Sequence, residues 1–294
     1  MIHLSNGHIL TFCCGSGALA YDGRGWPWEW PFRWCKLLRP EELTVVTKTL
    51  TLMPRKGNLR WWCPWRCVRL IPNGVVNAVG LTNPGLDYWL RKYYPIAKKK
   101  KYPLAVSLEA RNFEELYVMA KKLNDCNLAY IEVNASCPNS ELSSLPIYDG
   151  LVTVKRIINH PVVFKLSYVQ AMNRSLIDRL GRISGIEALH LINTVPWDDV
   201  YPNKISPLAY GLKVKGGVSG KDAKAFAIKA IKYAKQFTKL PIIGGNGIMS
   251  YGDVLDFQAA GATAFSIGSL FLRNPILPNK IIEIYNQTFG HYGI

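Results

Sequence analysis

Short apolar runs recur along this chain, and nearly every run ends in a polar residue or a glycine. The runs are only a few residues long and rich in β-branched residues, which is typical of buried strands. They occupy residues 9–12, 44–49, 104–108, 129–134, 161–166, 188–193, 240–245 and 264–268. Helical patterns lie between them, most clearly at 221–237 and 251–260, and Asn112 is placed to cap a helix over 113–123.

The alternation of strand and helix, with roughly 30 residues in a typical unit, predicts the fold class. Eight strands in such units indicate an α/β protein, a (β/α)8 TIM barrel that forms a single domain over residues 1–294. A doubly wound open sheet is the alternative, but it would gather ligand groups at one switch point instead of at nearly every strand end. Residues 50–76 interrupt the pattern and are predicted to form an irregular, aromatic-rich excursion.

Composition and charge change this picture little. With 294 residues, 49% of them hydrophobic, the chain can bury one sizeable core. The net charge of +16 is scattered apart from four lysines at 98–101, which favours a basic solvated surface over a nucleic-acid site. Seven cysteines without a CxxC pair, and no signal peptide after Met1, favour a reduced cytoplasmic location. The apolar runs are too short to cross a bilayer, and no metal site is predicted.

Tryptophan is concentrated in two stretches, residues 26–34 and 61–65. Such rings either cover the core or form a docking surface for a partner, because large aromatic residues dominate both cores and interfaces. The sequence leaves both interpretations open.

The strongest candidate for chemistry is the stretch 134–139, in which Cys137 lies between Asn134 and Asn139 directly after a predicted strand. Amide side chains donate and accept hydrogen bonds, so they suit a planar polar ligand, and Cys137 is placed to react in a pocket. The alternative is a buried free cysteine in an ordinary loop. Barrel sites lie at the C-terminal ends of the strands, so other residues near strand ends should converge there. These residues are Lys48, Asn77, Lys165, Asn193 and Thr194.

Glycine clusters follow the last predicted strands at 216–220, at 244–247 and at Gly268, which precedes Ser269. Backbone N–H groups at glycine turns and helix starts bind phosphate, and barrels commonly hold a phosphate at this position. Each cluster taken alone is equally compatible with a tight turn between strand and helix. Gly15, in the turn after the first strand, also allows a ligand to approach the backbone closely.

Together these segments resemble a known family, the dihydroorotate dehydrogenases that use a catalytic cysteine. The resemblance covers nearly the whole chain after about residue 40 and is strongest to the two-subunit, NAD-linked branch. The matching segments are 47–49, 54–58, 77–85, 134–139, Lys165, 193–194, 217–220 and 241–248. Two departures stand out. Asn246 occupies a position where the family usually has glycine, and the segment 140–146 lacks the glycine often found in the family's lid.

The resemblance implies a flavin-dependent oxidation of dihydroorotate to orotate in pyrimidine biosynthesis, with FMN as the hydride acceptor. Cys137 would be the base that removes a proton from the substrate ring. The implied substrate ligands are Asn77, Asn134, Asn139, Asn193 and Thr194. The implied FMN ligands are Gly15, Ser16, Lys48, Thr49, Ser107, Asn134, Lys165, Gly217, Gly244, Gly245, Gly268 and Ser269.

The resemblance also implies a homodimer core and a separate electron-transfer subunit with FAD and an iron–sulfur cluster, with neither nucleic acid nor membrane insertion. Other hypotheses are an FMN barrel that reduces a pyrimidine, similar to dihydropyrimidine dehydrogenase or tRNA-dihydrouridine synthase, and a divergent barrel without catalysis. The presence of Cys137, Lys48 and Lys165 together speaks against the non-catalytic hypothesis.

Overall fold

The computed structural model describes residues 1–136 and 158–290. Its strands are β1 (Ile2–His3), β2 (Ile9–Leu10), β3 (Phe12–Cys14), β4 (Val45–Val46), β5 (Val68–Ile71), β6 (Gly74–Asn77), β7 (Leu104–Leu108), β8 (Tyr130–Asn134), β9 (Val162–Leu166), β10 (Ile186–Leu191), β11 (Val195–Pro196), β12 (Gly217–Gly220), β13 (Ile242–Gly245) and β14 (Ala264–Ile267).

Its helices are α1 (Trp30–Trp34), α2 (Leu86–Lys92), α3 (Tyr94–Ala97), α4 (Phe113–Leu123), α5 (Tyr168–Ala171), α6 (Arg174–Arg182), α7 (Trp197–Val200), α8 (Ala209–Leu212), α9 (Lys224–Ala234), α10 (Tyr251–Ala259), α11 (Ser269–Arg273) and α12 (Leu277–Phe289). Helix α4 begins where the sequence predicts, because the Asn112 side chain accepts a hydrogen bond from the Glu115 N–H at 2.9 Å. Helix α10 begins with a capping box between Ser250 and Asp253.

Eight parallel strands form one sheet in the order β3-β14-β13-β10-β9-β8-β7-β4. The two edge strands meet, since the Cys14 N–H donates to the Thr44 carbonyl at 3.0 Å and the Thr44 N–H donates to the Phe12 carbonyl at 2.9 Å. These bonds close the sheet into a barrel. Every residue of β7, β8 and β9 is buried, as expected for parallel strands covered on both faces. The predicted (β/α)8 fold is confirmed.

A short hairpin of β1 and β2 lies at the opposite end of the barrel from the predicted site. The Asn6 side chain donates to the carbonyls of Leu128 and Ala129, at 3.2 and 3.1 Å, just before β8 begins. Ile2, which is buried, packs within the core from this hairpin. The hairpin therefore lies against the N-terminal end of the barrel and leaves the C-terminal end open to ligands.

A second, antiparallel sheet has the order β11-β12-β6-β5. Its strands β5 and β6 fall in and just after the segment 50–76 that interrupts the barrel pattern in the sequence. The glycine cluster at 216–220 contributes strand β12, in which Gly217 is paired with Asn77 of β6. This sheet forms the outer wall of the cavity described below.

Among the helices in residues 1–136 and 158–290, none combines the length and the apolar character needed to cross a membrane.

Candidate active site

A cavity of about 850 Å³ lies at the C-terminal ends of the barrel strands, between the barrel and the antiparallel sheet. The predicted site residues that line it are Gly15, Ser16, Lys48, Thr49, Asn77, Asn134, Lys165, Asn193, Thr194, Gly268 and Ser269. These residues are far apart in the sequence and come from different strand ends. The structure brings them into one cavity, while their individual roles stay predictions.

Four predicted flavin ligands do not line this cavity. Ser107 is buried below its floor, where its hydroxyl lies 3.0 Å from the Thr49 hydroxyl. The glycines pack against neighbouring side chains instead. A Cβ on Gly217 would lie 2.3 Å from the Thr194 hydroxyl, and a Cβ on Gly244 would lie 2.5 Å from Phe257. The fourth residue, Gly245, makes room for a histidine that is described below.

Cys137 and Asn139 lie outside the described residues, as does the segment 140–146. Ser136, which directly precedes Cys137, lines the cavity. The residue directly before the predicted base is therefore part of the cavity wall.

Two lysines supply positive charge to the cavity, and they differ in their partners. Lys165 is 7% exposed, and its ammonium lies 3.9 Å from the Glu132 carboxylate. Among the described residues, no carboxylate lies within ion-pair distance of Lys48. Burial, together with repulsion from Lys165, lowers the pKa of Lys48 from 10.5 to about 8. Within the described part of the chain, Lys48 is therefore a cation without a compensating carboxylate.

Amide side chains from two strand ends are joined through Ser136. The Ser136 hydroxyl donates to the side-chain amide oxygen of Asn134, and the side-chain amide N–H of Asn193 donates to the Ser136 hydroxyl. The side-chain amide N–H of Asn134 donates to the Thr49 hydroxyl at 3.3 Å. The sequence pattern assigns no role to Ser136. Its position between Asn134 and Cys137 could have indicated a role in the site. The bridge itself could not be predicted, because it depends on Asn193, which is 57 positions away.

Asn246 explains one departure from the family pattern. Its backbone has φ +67°, in the left-handed region that favours glycine and that asparagine tolerates better than most residues. Its side chain donates to the Asn193 carbonyl at 2.9 Å and accepts from the Gly220 N–H at 3.3 Å. Asn246 thus adopts the backbone conformation of a glycine and also ties the ends of three strands together.

The floor of the cavity is polar and charged. His190 lines the cavity, and its Nδ1 lies 2.6 Å from the carboxylate of Glu132, which is fully buried in the barrel interior. The Ser107 hydroxyl donates to the other oxygen of Glu132 at 2.8 Å. Glu132 and His190 are not among the site residues predicted from the sequence. The signal that could have found them is a charged or polar residue within an apolar strand run.

The two tryptophan-rich stretches form a rim at the mouth of the cavity. Trp26, Trp28 and Trp65 line the cavity, and the exposed rings include Trp34 at 76% and Trp61 at 81%. We call the tryptophans of residues 26–34 and 61–65 the aromatic rim. Most of these rings are exposed, so the interpretation that they cover the core does not hold for them. The rim is an exposed apolar surface beside the candidate site.

The barrel, with a cationic and amide-lined cavity at its C-terminal face, is the architecture of an enzyme that binds planar, anionic ligands. A sequence profile described as dihydroorotate dehydrogenase matches residues 40–288. The chain therefore belongs to the dihydroorotate dehydrogenase family, which consists of oxidoreductases, and the resemblance noted in the sequence is confirmed.

Several curated relatives are similar to this chain over most of its length, and each is named dihydroorotate dehydrogenase B (NAD(+)), catalytic subunit. The protein from Desulforamulus reducens is 32% identical over 85% of this chain and 82% of its own length. The protein from Desulforudis audaxviator is 34% identical over 85% and 81% of the two chains. The protein from Thermodesulfovibrio yellowstonii is 33% identical over 83% and 80%.

Dihydroorotate dehydrogenases are flavin-dependent, and the donor set of the cavity fits a flavin. The ammonium of Lys48, which has no carboxylate partner among the described residues, and the nearby Lys165 suit a ring that becomes more negative when it is reduced. Gly15 and Gly268 approach each other so closely that a Cβ on Gly15 would lie 3.0 Å from the Gly268 Cα. Both glycines line the cavity, although the Gly15 N–H already donates to the Ile267 carbonyl at 2.7 Å.

Proposed function

We propose that this chain oxidises dihydroorotate to orotate, with FMN as the hydride acceptor and Cys137 as the general base. One observation supports the proposal above others: two lysines and the amides Asn77, Asn134 and Asn193 lie in one cavity. A ring with carbonyl and N–H edges and a carboxylate matches side chains that donate and accept hydrogen bonds. Thr194 and Asn139 complete the proposed substrate ligands.

In the proposed reaction the Cys137 thiolate takes a proton from one ring carbon of dihydroorotate. A hydride leaves the adjacent carbon, and a carbon–carbon double bond forms in the ring. Bound FMN supplies the hydride acceptor. A buried thiol ionises only in a positive field, and the described cations that line the cavity are Lys48, Lys165 and Arg69. Because Cys137 follows Ser136, the bridge between Asn134 and Asn193 would position the base together with the substrate ring.

The proposed phosphate site of FMN is formed by backbone N–H groups of Gly268 and Ser269, beside Gly15. Gly217, Gly244 and Gly245, which the sequence also predicts as phosphate ligands, do not line the cavity. Backbone N–H groups at small-residue turns bind phosphate without needing a charged side chain. The position of Gly268 and Ser269 in the cavity wall, at the start of helix α11, supports this assignment.

We also propose that the aromatic rim docks an electron-transfer subunit that carries FAD and an iron–sulfur cluster. The relatives are named catalytic subunits, which implies a second subunit in those proteins. Exposed tryptophan is the residue type most enriched at binding hot spots, and the rim borders the cavity in which the flavin would lie. A homodimer core and a cytoplasmic location are further parts of the proposal.

The test of the reaction is an acceptor series with purified, FMN-loaded protein and dihydroorotate. We expect rapid reduction of an artificial dye and no reduction of NAD. Absence of turnover with every acceptor, despite bound FMN, would refute the dihydroorotate proposal. Efficient reduction of fumarate would instead indicate a single-subunit enzyme, and efficient reduction of NAD by the chain alone would exclude the need for a partner.

The docking proposal is tested with Trp34→Ser and Trp61→Ser, two exposed rim residues that do not line the cavity. Both variants should keep dye reduction and lose NAD reduction in the presence of the partner subunit. Tyr210→Ser is the matched control, since Tyr210 is 82% exposed and lies outside the rim. Equal loss in the control and the rim variants would contradict the proposed surface.

A further inference from the structure

The barrel interior just below the cavity contains a buried carboxylate to which the proposed reaction gives no role. Glu132 is 0% exposed and is held by His190 at 2.6 Å and by the Ser107 hydroxyl at 2.8 Å. His190 and Lys165 are register partners on the neighbouring strands β10 and β9. Both of these residues line the cavity, so Glu132 contacts the candidate site through them, and Ser107 also connects it to Thr49 of the cavity wall.

Packing alone does not explain this group. The interior of a (β/α)8 barrel is usually filled by Val, Ile and Leu. Replacing a buried ion pair by well-packed apolar residues is often neutral or stabilising, so the charges need another reason. The neighbouring strand also accommodates the group: a Cβ on Gly245 would lie 3.0 Å from the His190 Nε2. The space at Gly245 keeps that nitrogen accessible.

Glu132 carries a negative charge at neutral pH, and its neighbours do not. Burial alone would raise the pKa of Glu132, but the charge of Lys165 and the hydrogen bonds from His190 and Ser107 hold it at about 2. Burial raises the pKa of the Cys13 thiol to about 12 and that of Glu29, which lines the cavity, to about 8. Within the described residues around this cavity, Glu132 is therefore the anion nearest to Lys165.

The geometry also defines the state of His190. Burial lowers the pKa of His190, Glu132 opposes this shift and Lys165 adds to it; the pKa stays below its usual value, so the imidazole is neutral at neutral pH. Because Glu132 can only accept, the proton of the ring lies on Nδ1, and Nε2 is an acceptor beside the cavity to which no described residue donates. The Lys165 ammonium lies 3.9 Å from the carboxylate, beyond hydrogen-bond distance, so its N–H donors stay available to a ligand.

We propose that Glu132 is a positioning residue that sets the reduction potential of the bound flavin. It fixes a neutral His190 with Nε2 toward the cavity, and it partly balances the charge of Lys165 without occupying the ammonium donors. This inference rests on the proposed function, because it concerns the flavin that the function requires. Removing the negative charge leaves two uncompensated lysines, which should favour the reduced, more negative flavin.

The test is the reduction potential of FMN bound to Glu132→Gln, measured by equilibration with reference dyes. The substitution keeps the size of the side chain and removes its charge. We expect the preference for reduced over oxidised FMN to rise at least tenfold, about 30 mV for a two-electron couple. Glu132→Asp, which restores the charge, should return toward the wild-type potential. His190→Gln exchanges one neutral residue for another and should change the preference less than threefold.

Glu109→Gln is the matched control. Glu109 is also a buried carboxylate with a cation nearby, Arg55 at 3.7 Å, but it does not line the cavity. The Glu109→Gln substitution should leave the reduction potential of the bound FMN unchanged. An unshifted reduction potential in Glu132→Gln would overturn the inference, and so would an equal shift in His190→Gln or in Glu109→Gln. In either case, turnover of dihydroorotate by the wild-type protein would leave the proposed function intact.

The wild-type protein provides a second measurement in case Glu132→Gln fails to fold. Nitrogen NMR of histidine-labelled protein, with His190→Gln used to assign the signal, should show a neutral ring protonated on Nδ1 between about pH 6 and 8. An imidazolium, or the opposite tautomer, would overturn the inference. If the wild-type protein binds no FMN at all, both the proposed function and the inference about Glu132 fail.

Discussion

Neutralising Lys48 or Lys165 should move the stability of the flavin-free protein in opposite directions, although both lysines line one cavity. Burial lowers the pKa of Lys48 from 10.5 to about 8, which corresponds to about 3 kcal/mol of destabilisation of the charged form in the folded state. Lys48→Met removes the charge and keeps a chain of similar length. We therefore expect it to raise the free energy of unfolding at pH 7 by up to about 3 kcal/mol.

Lys165→Met is the matched comparison, because Lys165 has the Glu132 carboxylate 3.9 Å away. Removing this cation leaves a fully buried anion with His190 and Ser107 as its remaining partners. Breaking a buried ion pair in this way typically costs about 3–5 kcal/mol. The two substitutions make the same change in charge and size. Opposite changes in the free energy of unfolding would therefore come from the Glu132 carboxylate, which lies near Lys165 and not near Lys48.

The pH dependence gives an independent check on Lys48. Its folded pKa lies below its unfolded pKa, so the charge destabilises the protein fully below about pH 8. The destabilisation fades as the pH rises from about 8 to 10.5, because the folded protein loses the proton first. The advantage of Lys48→Met should therefore shrink over this window.

The assay is urea unfolding of flavin-free protein at pH 7 and near pH 10, with the midpoint compared at constant m value. Destabilisation by Lys48→Met at pH 7, or a shift of the same sign in Lys165→Met, would refute the assignment of Lys48 as an unpaired charge. An advantage of Lys48→Met that does not change with pH would show that packing, rather than ionisation, causes it.

Three further predictions concern the site. Cys137→Ala should lower turnover by about 10²–10⁴-fold with the FMN absorbance unchanged, and Cys137→Ser should regain some activity as the pH rises; a wild-type rate in Cys137→Ala would exclude the base. Ser136→Ala breaks the bridge between two amides and should raise the KM for dihydroorotate about fivefold, since a hydrogen bond contributes about 1 kcal/mol; an unchanged KM would contradict this. Gly15→Val should expel FMN, seen as lost flavin absorbance in the purified protein, because its Cβ would lie 3.0 Å from the Gly268 Cα; Gly211→Val, with open space around it, is the control.

The barrel could be predicted from local patterns because its strands are buried on both faces and its helices have local start signals. The run 104–108 and strand Leu104–Leu108 coincide, and helix Phe113–Leu123 follows the Asn112 cap as expected. The antiparallel sheet could not be predicted in this way. Its strand Gly217–Gly220 pairs with Gly74–Asn77, and a glycine-rich strand carries little side-chain pattern to reveal a distant partner.

The convergence of strand-end residues followed from the fold, but the electrostatics below them did not. Glu132 lies two positions before Asn134 on the same strand, so both side chains point to the same face. A charged residue at such a position in an apolar run indicates a group that faces the barrel interior. Its partner His190 lies on a strand 58 positions away, and the sequence does not show which two inward residues share a layer. The different environments of Lys48 and Lys165 depend on the same long-range packing, since only Lys165 lies near that carboxylate.

These charges connect the stability of the protein to its ligand. A ligand at about 100 times its Kd stabilises the folded state by about 2.7 kcal/mol, which is close to the destabilisation expected from Lys48. If Lys48→Met weakens FMN binding about a hundredfold, the variant gains only about 0.4 kcal/mol at the same FMN concentration. The advantage of the variant in flavin-free protein should then nearly vanish when FMN is added. The unpaired lysine is thus a disadvantage for the empty protein, and the bound flavin offsets it.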